Sequence, residues 1–306
     1  MPYALRMPDV SFLWCEVTGR CQLTCVHCYA ESSPSGTHGA MTEADWVRVL
    51  DQASDLGVRM VQFIGGEPTL YPPLGVLVDR ALALGLTVEV FSNLVHVPDA
   101  LWEIFSRPGV SLATSYYSDD PTQHAAITGR PSHRPTKANI AEAVRRGIPV
   151  RAGVIDLGGE QRGTGARAEL VDLGVPAIGF DRLRQVGRGI RDRQAGVEQL
   201  CGRCGDGVAA VSPDGAVWPC VFSRWLPIGN VLTAPLADVL ASEAARDVRR
   251  QLAEHFASRQ IPPCVPKMCD PQCGPSCGPA CRPSCWPTGT GPCRPKGGCV
   301  PNYGKK

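Results

Sequence analysis

Cys21, Cys25 and Cys28 stand in one short run, Cys-Gln-Leu-Thr-Cys-Val-His-Cys, with Tyr29 directly after it. Three thiolates so close together can bind three irons of a cubane. A four-iron cluster commonly takes four cysteines, so a three-cysteine loop leaves one iron open. An open iron can chelate the amino and carboxylate groups of a small molecule. A structural zinc is the competing reading. Zinc wants four ligands, and His27 or Cys15 could supply the fourth, although His27 is wedged between ligating positions.

The chain has 306 residues and 15 cysteines, and the cysteines fall in three places. Cys15 joins the first set near the start, where a buried thiol on a strand is expected. Cys201, Cys204 and Cys220 follow more than 170 residues after Cys28. Cys264, Cys269, Cys273, Cys277, Cys281, Cys285, Cys293 and Cys299 crowd a tail rich in Pro and Gly. Such a tail cannot build an ordinary apolar core, so it is disordered or held by metal or disulfides. No apolar run approaches the roughly 20 residues needed to span a bilayer. Met1–Asp9 has none of the features of a signal peptide. The expected compartment is the cytoplasm, where cysteines point to metal ligation rather than disulfides.

The formal net charge of +2 gives no support for a nucleic-acid binder. Arg182, Arg184, Arg188, Arg191 and Arg193 form a local basic segment. It reads either as a solvated face or as a site for an acidic peptide or cofactor group.

Elements that alternate between strand and helix must position the first cysteines. Strands are expected at Phe12–Val17, Val58–Ile64, Thr87–Phe91, Val110–Ser115, Val150–Ile155 and Ala177–Phe180. Helices are expected from a Thr42 cap to about Leu56, then at Pro72–Leu84, Pro98–Phe105, Pro135–Arg145 and Ala166–Leu173. Leu56-Gly57, Leu84-Gly85, Arg146-Gly147 and Leu173-Gly174 punctuate the helix ends, where glycine accepts the left-handed conformation. Repeated βα units imply a parallel sheet. Open sheet or barrel is left undecided by the pattern. Both the cysteine run and Gly65-Gly66-Glu67-Pro68 follow strands, at the carboxyl edge where loop-borne sites usually sit. Further on, Asp214-Gly215 reads as a hairpin turn returning Cys220 toward Cys201 and Cys204. Leu236–Phe256 reads as one helix.

The Cys-x3-Cys-x2-Cys run with its adjacent aromatic, followed by Gly65-Gly66-Glu67-Pro68, resembles the signature of the radical S-adenosylmethionine superfamily. The resemblance covers roughly residues 10 to 183. It implies an α/β fold, a partial (β/α)6 TIM-like barrel, with a [4Fe–4S] cluster on Cys21, Cys25 and Cys28. It places Gly65, Gly66, Glu67 and Pro68 at the methionine amino group of S-adenosylmethionine. Glycines allow such an approach, and carbonyls accept from an ammonium. Tyr29 would lie near the cluster and adenine. Ser92, Asn93 and Ser115 could reach the ribose or carboxylate. Arg151 could bind the cofactor carboxylate or stand in the wall with an ion-pair partner.

Cys204-x10-Gly215-x4-Cys220 and Ile228-Gly229-Asn230-Val231 resemble the opening of a SPASM domain, an auxiliary-cluster extension. The division implied is 1–195 for the barrel and 196–306 for the small cysteine-rich auxiliary-cluster domain. The tail spacings depart from that pattern. One or two auxiliary [4Fe–4S] clusters are implied, using Cys201, Cys204, Cys220 and five of the eight tail cysteines.

The resemblance implies a 5′-deoxyadenosyl radical that takes a hydrogen from substrate. The expected substrate is a ribosomally made peptide, undergoing an oxidative crosslink or a related maturation step. A dehydrogenase or epimerase for a sugar or antibiotic precursor is the alternative, and an iron–sulfur electron carrier or metal-stapled scaffold is the reading from another class. Expected partners are a reductant such as flavodoxin or ferredoxin and the peptide, with neither nucleic acid nor membrane. Only 20 residues precede Cys21, so leader recognition is expected from a separate protein or directly. Asp119, Asp120, His124 and Asp156 are the candidates for proton transfer, with surface or structural roles equally open.

Overall fold

The computed structural model describes residues 10–192 and 194–257. Five βα-type units and a sixth strand come first. The strands are β1 (Phe12–Thr18), β2 (Met60–Gly65), β3 (Thr87–Phe91), β4 (Val110–Tyr116), β5 (Val150–Asp156) and β6 (Ala177–Arg182). Between them run α1 (Glu43–Asp55), α2 (Leu74–Ala83), α3 (Asp99–Phe105), α4 (Pro121–Thr128), α5 (His133–Arg145) and α6 (Gly163–Asp172). All six strands are parallel, and neighbours in sequence are neighbours in the sheet. A sheet wound in one direction has no switch point, and this is the winding of a TIM-like partial barrel.

Alternation along β1 shows the two faces. Leu13, Cys15 and Val17 pack into a core shared with α1, α2, α3 and α5. Phe12 and Trp14 point the other way and join Met60, Ile64, Phe91 and residues beyond 196. Cys15 is fully buried on the helical side, as expected of a packing thiol, and burial raises its pKa.

The sheet does not stop at residue 195. β7 (Val208–Val211) lies parallel to β1, pairing Phe12 with Val208 through Cys15 with Val211. Then β8 (Ala216–Trp218) and β9 (Gly229–Asn230) continue it in antiparallel fashion. The β7–β8 hairpin turns at Asp214-Gly215, with Gly215 at φ +79°.

Two helical expectations need correction. The single helix over Leu236–Phe256 is two helices, α7 (Leu236–Ala241) and α8 (Glu243–Ala257). Ser242 between them is extended, and its hydroxyl accepts from Ala245 N at 3.1 Å, as an N-cap does. The other correction is α4, which the apolar pattern does not announce. Its signals are caps: Asp120 accepts from Gln123 N at 2.7 Å, Pro121 follows, and Gly129 closes it at φ +76°. Among the described residues, no helix is long and apolar enough to cross a membrane.

A buried charge pair stands in the barrel interior. Arg151 on β5 donates from Nε and Nη2 to Glu89 on β3, at 2.7 and 2.6 Å. Gln62 on β2 also donates to Glu89. Arg151 is therefore committed to a carboxylate of its own chain. Removing one partner of a buried pair strands the other charge, at a cost of about 3–5 kcal/mol. Glu89→Ala should lose stability on that scale in urea denaturation. Combining it with Arg151→Met should recover most of the loss.

Candidate metal and cofactor site

The loop after β1 carries the three cysteines and has little regular structure of its own. Three outside elements hold it. From the end of β2, Gly66 N donates to Thr18 O at 2.6 Å and Glu67 N to Arg20 O at 2.8 Å. A Cβ on Gly66 would lie 2.2 Å from Arg20 O, so the approach itself demands glycine. From the end of α4, Thr128 O accepts from Thr24 N at 3.1 Å and Ile127 O from Val26 N at 3.0 Å. From the segment after β6, Arg188 donates to Cys25 O through Nε (2.9 Å) and to Ser32 O through Nη2 (2.6 Å). Its backbone N reaches Cys28 O at 3.0 Å.

Cys21, Cys25 and Cys28 line one pocket with Gly65 and Gly66. Tyr29, Asn93 and Ser115 share its wall. Other expected cofactor residues stand behind it. Glu67 is fully buried and turned inward, where it accepts from Ser92 Oγ (2.7 Å), Asn93 N (2.8 Å) and Thr69 N (3.0 Å). Pro68 opens a short 3₁₀ turn. These residues brace the site, as does the Glu89–Arg151 pair, so their side chains are not pocket wall.

Of the four proton-transfer candidates, His124 alone lines the pocket. Asp119 is paired with Arg162 at 2.6 Å, Asp120 caps α4, and Asp156 accepts from Gly158 N at 2.8 Å in a turn. His124 packs on Tyr116, Tyr117 and His133. Burial lowers its pKa to about 4.

The pocket adds residues that the sequence did not single out as its wall. His27 lines it, with its ring 4.9 Å from Tyr117. Burial, with Arg188 and Arg191 behind it, lowers the His27 pKa to about 4. An aromatic ring between two cysteines was the available signal. Arg188 was visible only within the basic segment, although Gly187 and Gly189 flank it. That segment is not a free basic face. Arg184 pairs with Asp181 and donates to Gln199 O, and Arg191 donates to Leu157 O. Arg182 is exposed at the pocket, and Arg193 lies outside the described residues.

Burial holds the Cys21 and Cys25 thiols toward their protonated form. Burial pushes Cys21 up to about 12, helped by the Glu67 carboxylate and opposed by the Leu23 N–H and the Asn93 amide. Burial raises Cys25 further, while Arg188 pulls it down. Metal binding must therefore displace protons. Three soft donors along one loop, facing one pocket, fit an iron–sulfur cluster.

The second set also gathers. Cys204 Sγ lies 2.9 Å from Cys220 Sγ. Hydrogen bonds with Cys201 and Cys220, then burial, raise the Cys204 pKa. The β7–β8 hairpin thus brings the three together. Cys264, Cys269, Cys273, Cys277, Cys281, Cys285, Cys293 and Cys299 lie outside the described residues. Neighbours of the two sets touch: Tyr29, next to Cys28, meets the ring of Phe222, two residues past Cys220, at 5.1 Å, and Arg224 pairs with Glu16 at 2.6 Å over the Trp218 ring.

Residues 15–162 match the radical SAM superfamily, and residues 191–274 match the SPASM iron–sulfur cluster-binding domain. The chain thus carries a radical SAM superfamily domain followed by a SPASM domain. The first implies a [4Fe–4S] cluster with S-adenosylmethionine, and the SPASM domain implies auxiliary iron–sulfur clusters. PqqA peptide cyclase of Streptomyces rochei is 32% identical over 183 residues, 59% of this chain and 50% of that protein. PqqA peptide cyclase of Xanthomonas campestris pv. campestris (strain B100) is 31% identical over 191 residues, 61% of this chain and 50% of that one. The chain spans about half the length of these relatives. Streptococcus suis SuiB bound to its precursor peptide SuiA superposes with a TM-score of 0.68 at 16% identity, over 79% of this chain and 67% of that one. Native anSMEcpe with bound AdoMet and Cp18Cys peptide gives a TM-score of 0.62 at 11% identity, over 85% of this chain and 91% of that one. At these identities the two structures show a shared fold.

Two outcomes test the geometry. Arg188→Ala leaves two loop carbonyls without their donor, so anaerobic reconstitution should load less iron per chain, with Arg188→Lys between it and wild type. For His124, the folded pKa near 4 lies below the unfolded value of about 6.5. The neutral ring is the buried form, so its stabilisation is complete above about pH 6.5 and is lost as pH falls toward 4. Urea melts of the metal-free chain should show His124→Gln flattening the pH dependence in that window.

Proposed function

We propose that this chain is a radical enzyme that removes hydrogen from a ribosomally made peptide and leaves an oxidative crosslink. The observation that carries the reading is the pocket walled by Cys21, Cys25, Cys28 and the Gly65-Gly66 backbone, with Tyr29 of its wall against Phe222, two residues past Cys220. The names of the relatives, PqqA peptide cyclase, and the peptide-bound SuiB support a peptide as substrate.

When bound, the reduced cluster and S-adenosylmethionine supply a 5′-deoxyadenosyl radical. The chain's own residues hold and orient. Cys21, Cys25 and Cys28 would ligate three irons. Gly65 and Gly66 leave backbone within reach of a ligand, and Tyr29, Asn93 and Ser115 form the adjoining wall. The rings of His27 and His124, whose pKa values burial lowers to about 4, add no charge of their own to that wall near pH 7. Such a lining positions a target carbon and limits water, and positioning carries selectivity. Cys201, Cys204 and Cys220 would hold an auxiliary cluster, which would supply a one-electron acceptor for the substrate's oxidation. A flavodoxin or ferredoxin would supply the first electron in the cytoplasm, and a separate protein would present the peptide leader.

Anaerobically reconstituted, dithionite-reduced protein should convert S-adenosylmethionine to 5′-deoxyadenosine. Alanine at Cys21, Cys25 and Cys28 should abolish that conversion. A short peptide encoded beside the gene should lose two hydrogens by mass spectrometry. Cys204→Ala should still form 5′-deoxyadenosine while losing the peptide product. An intact cluster that forms no 5′-deoxyadenosine would sink the reading. Unchanged peptide mass with deuterium uptake would replace crosslinking by epimerisation.

A further inference from the structure

We propose that Asn93 sets the reduction potential of the cluster on Cys21, Cys25 and Cys28 by donating its side-chain N–H to the Cys21 sulfur. The inference rests on the cluster assigned to those three residues. Asn93 follows β3, and its Nδ2 lies 3.6 Å from Cys21 Sγ, within reach of an N–H···S bond. Leu23 N donates to the same sulfur at 3.4 Å.

The amide cannot turn over. Its Oδ1 accepts from Val95 N at 2.9 Å and from Gln22 Nε2 at 3.0 Å. A backbone N–H is only a donor, so the atom facing Val95 N must be oxygen. That choice leaves the NH2 group toward Cys21, with its other hydrogen directed at Gln22 Oε1, 3.3 Å away. The backbone is held as firmly. Asn93 N donates to Glu67 Oε2 at 2.8 Å, and Asn93 O accepts from Thr136 Oγ1 at 2.9 Å. Glu67 is itself fully buried and fixed by Ser92 and Thr69. The donor therefore stands in place before any metal arrives.

The physical consequence has a definite sign. Reduction adds one negative charge, spread partly over the cysteine sulfurs. An N–H aimed at a sulfur stabilises that more negative state and raises the potential. Asn93 acts through Cys21, so it is a positioning residue. Asn93→Asp keeps the shape and the Oδ1 acceptor but replaces the donor with a charged oxygen.

The test uses the full chain, reconstituted anaerobically, in redox titrations without S-adenosylmethionine, followed by electron paramagnetic resonance. The signal to follow is the one that changes when S-adenosylmethionine is then added. Asn93→Ala should shift its reduction equilibrium about tenfold toward the oxidised state, about 59 mV for one electron. Asn93→Asp should move it further in the same direction. Pulsed measurements on wild type grown with 15N-asparagine should show a weak nitrogen coupling to the reduced cluster. Coincident midpoints for wild type and both variants would overturn the proposal. If a variant does not load iron, the wild-type coupling decides, and its absence overturns the proposal. A wild type with no four-iron signal at the three cysteines would instead remove the cluster assignment itself.

Discussion

A loop that must present three thiols closes only a few of its own hydrogen bonds, and the architecture follows from that deficit. Helices and strands satisfy their backbone internally, whereas the run from Thr18 to Ser32 must borrow partners. It borrows from the end of β2, the end of α4 and Arg188. A glycine sits at each of the three contacts. A Cβ on Gly66 would strike Arg20 O at 2.2 Å, on Gly129 Thr24 Oγ1 at 2.1 Å, and on Gly187 Tyr29 O at 2.4 Å. The glycines of this site thus serve the protein's own backbone as well as any ligand. The shape of the cysteine loop is set jointly by elements from β1 to the segment after β6.

This arrangement separates two tiers of polar residues that look alike in one dimension. Asn93 and Ser115 reach the pocket, while Glu67, Ser92 and Arg151 lie behind it. The second tier is demanding. Glu67 is a buried carboxylate whose pKa is raised by burial and held back by the Asn93, Ser92 and Thr69 donors. Those donors sit at the end of β3 and at the loop after β2, so the carboxylate welds two neighbouring strand ends. Arg151 and Glu89 do the same deeper in the barrel, two strands apart.

Much of this was legible in the sequence because it rests on period and punctuation. The six parallel strands, Gly after several helices, the two cysteine sets and the Asp214-Gly215 hairpin all leave local marks. What the sequence hid depends on direction or on distant partners. Arg151 was marked as a charge needing a partner, but nothing local says that Glu89, 62 residues away, supplies it. Arg188 looked like one member of a basic run, since a guanidinium bound to carbonyls and one in water share the same letters. The helix α4 carries little amphipathic pattern, and Leu236–Phe256 is cut by a single serine cap. Caps outweighed periodicity in both places.

The position of the second cysteine set follows from the strand that leads to the first. β7 pairs in register with β1, Phe12 with Val208 and Cys15 with Val211. Cys204 precedes β7 and Cys220 follows β8, so the hairpin returns both to the same end of the pair. On that face of β1, Glu16 is buried and its charge is met by Arg224, four residues past Cys220. A slip of one residue would send Glu16 to the apolar helical side and leave Arg224 without it. The register that buries this pair therefore also fixes where Cys204 and Cys220 lie along β1. An auxiliary segment joined only by a flexible linker would need neither the shared strand nor the shared charge.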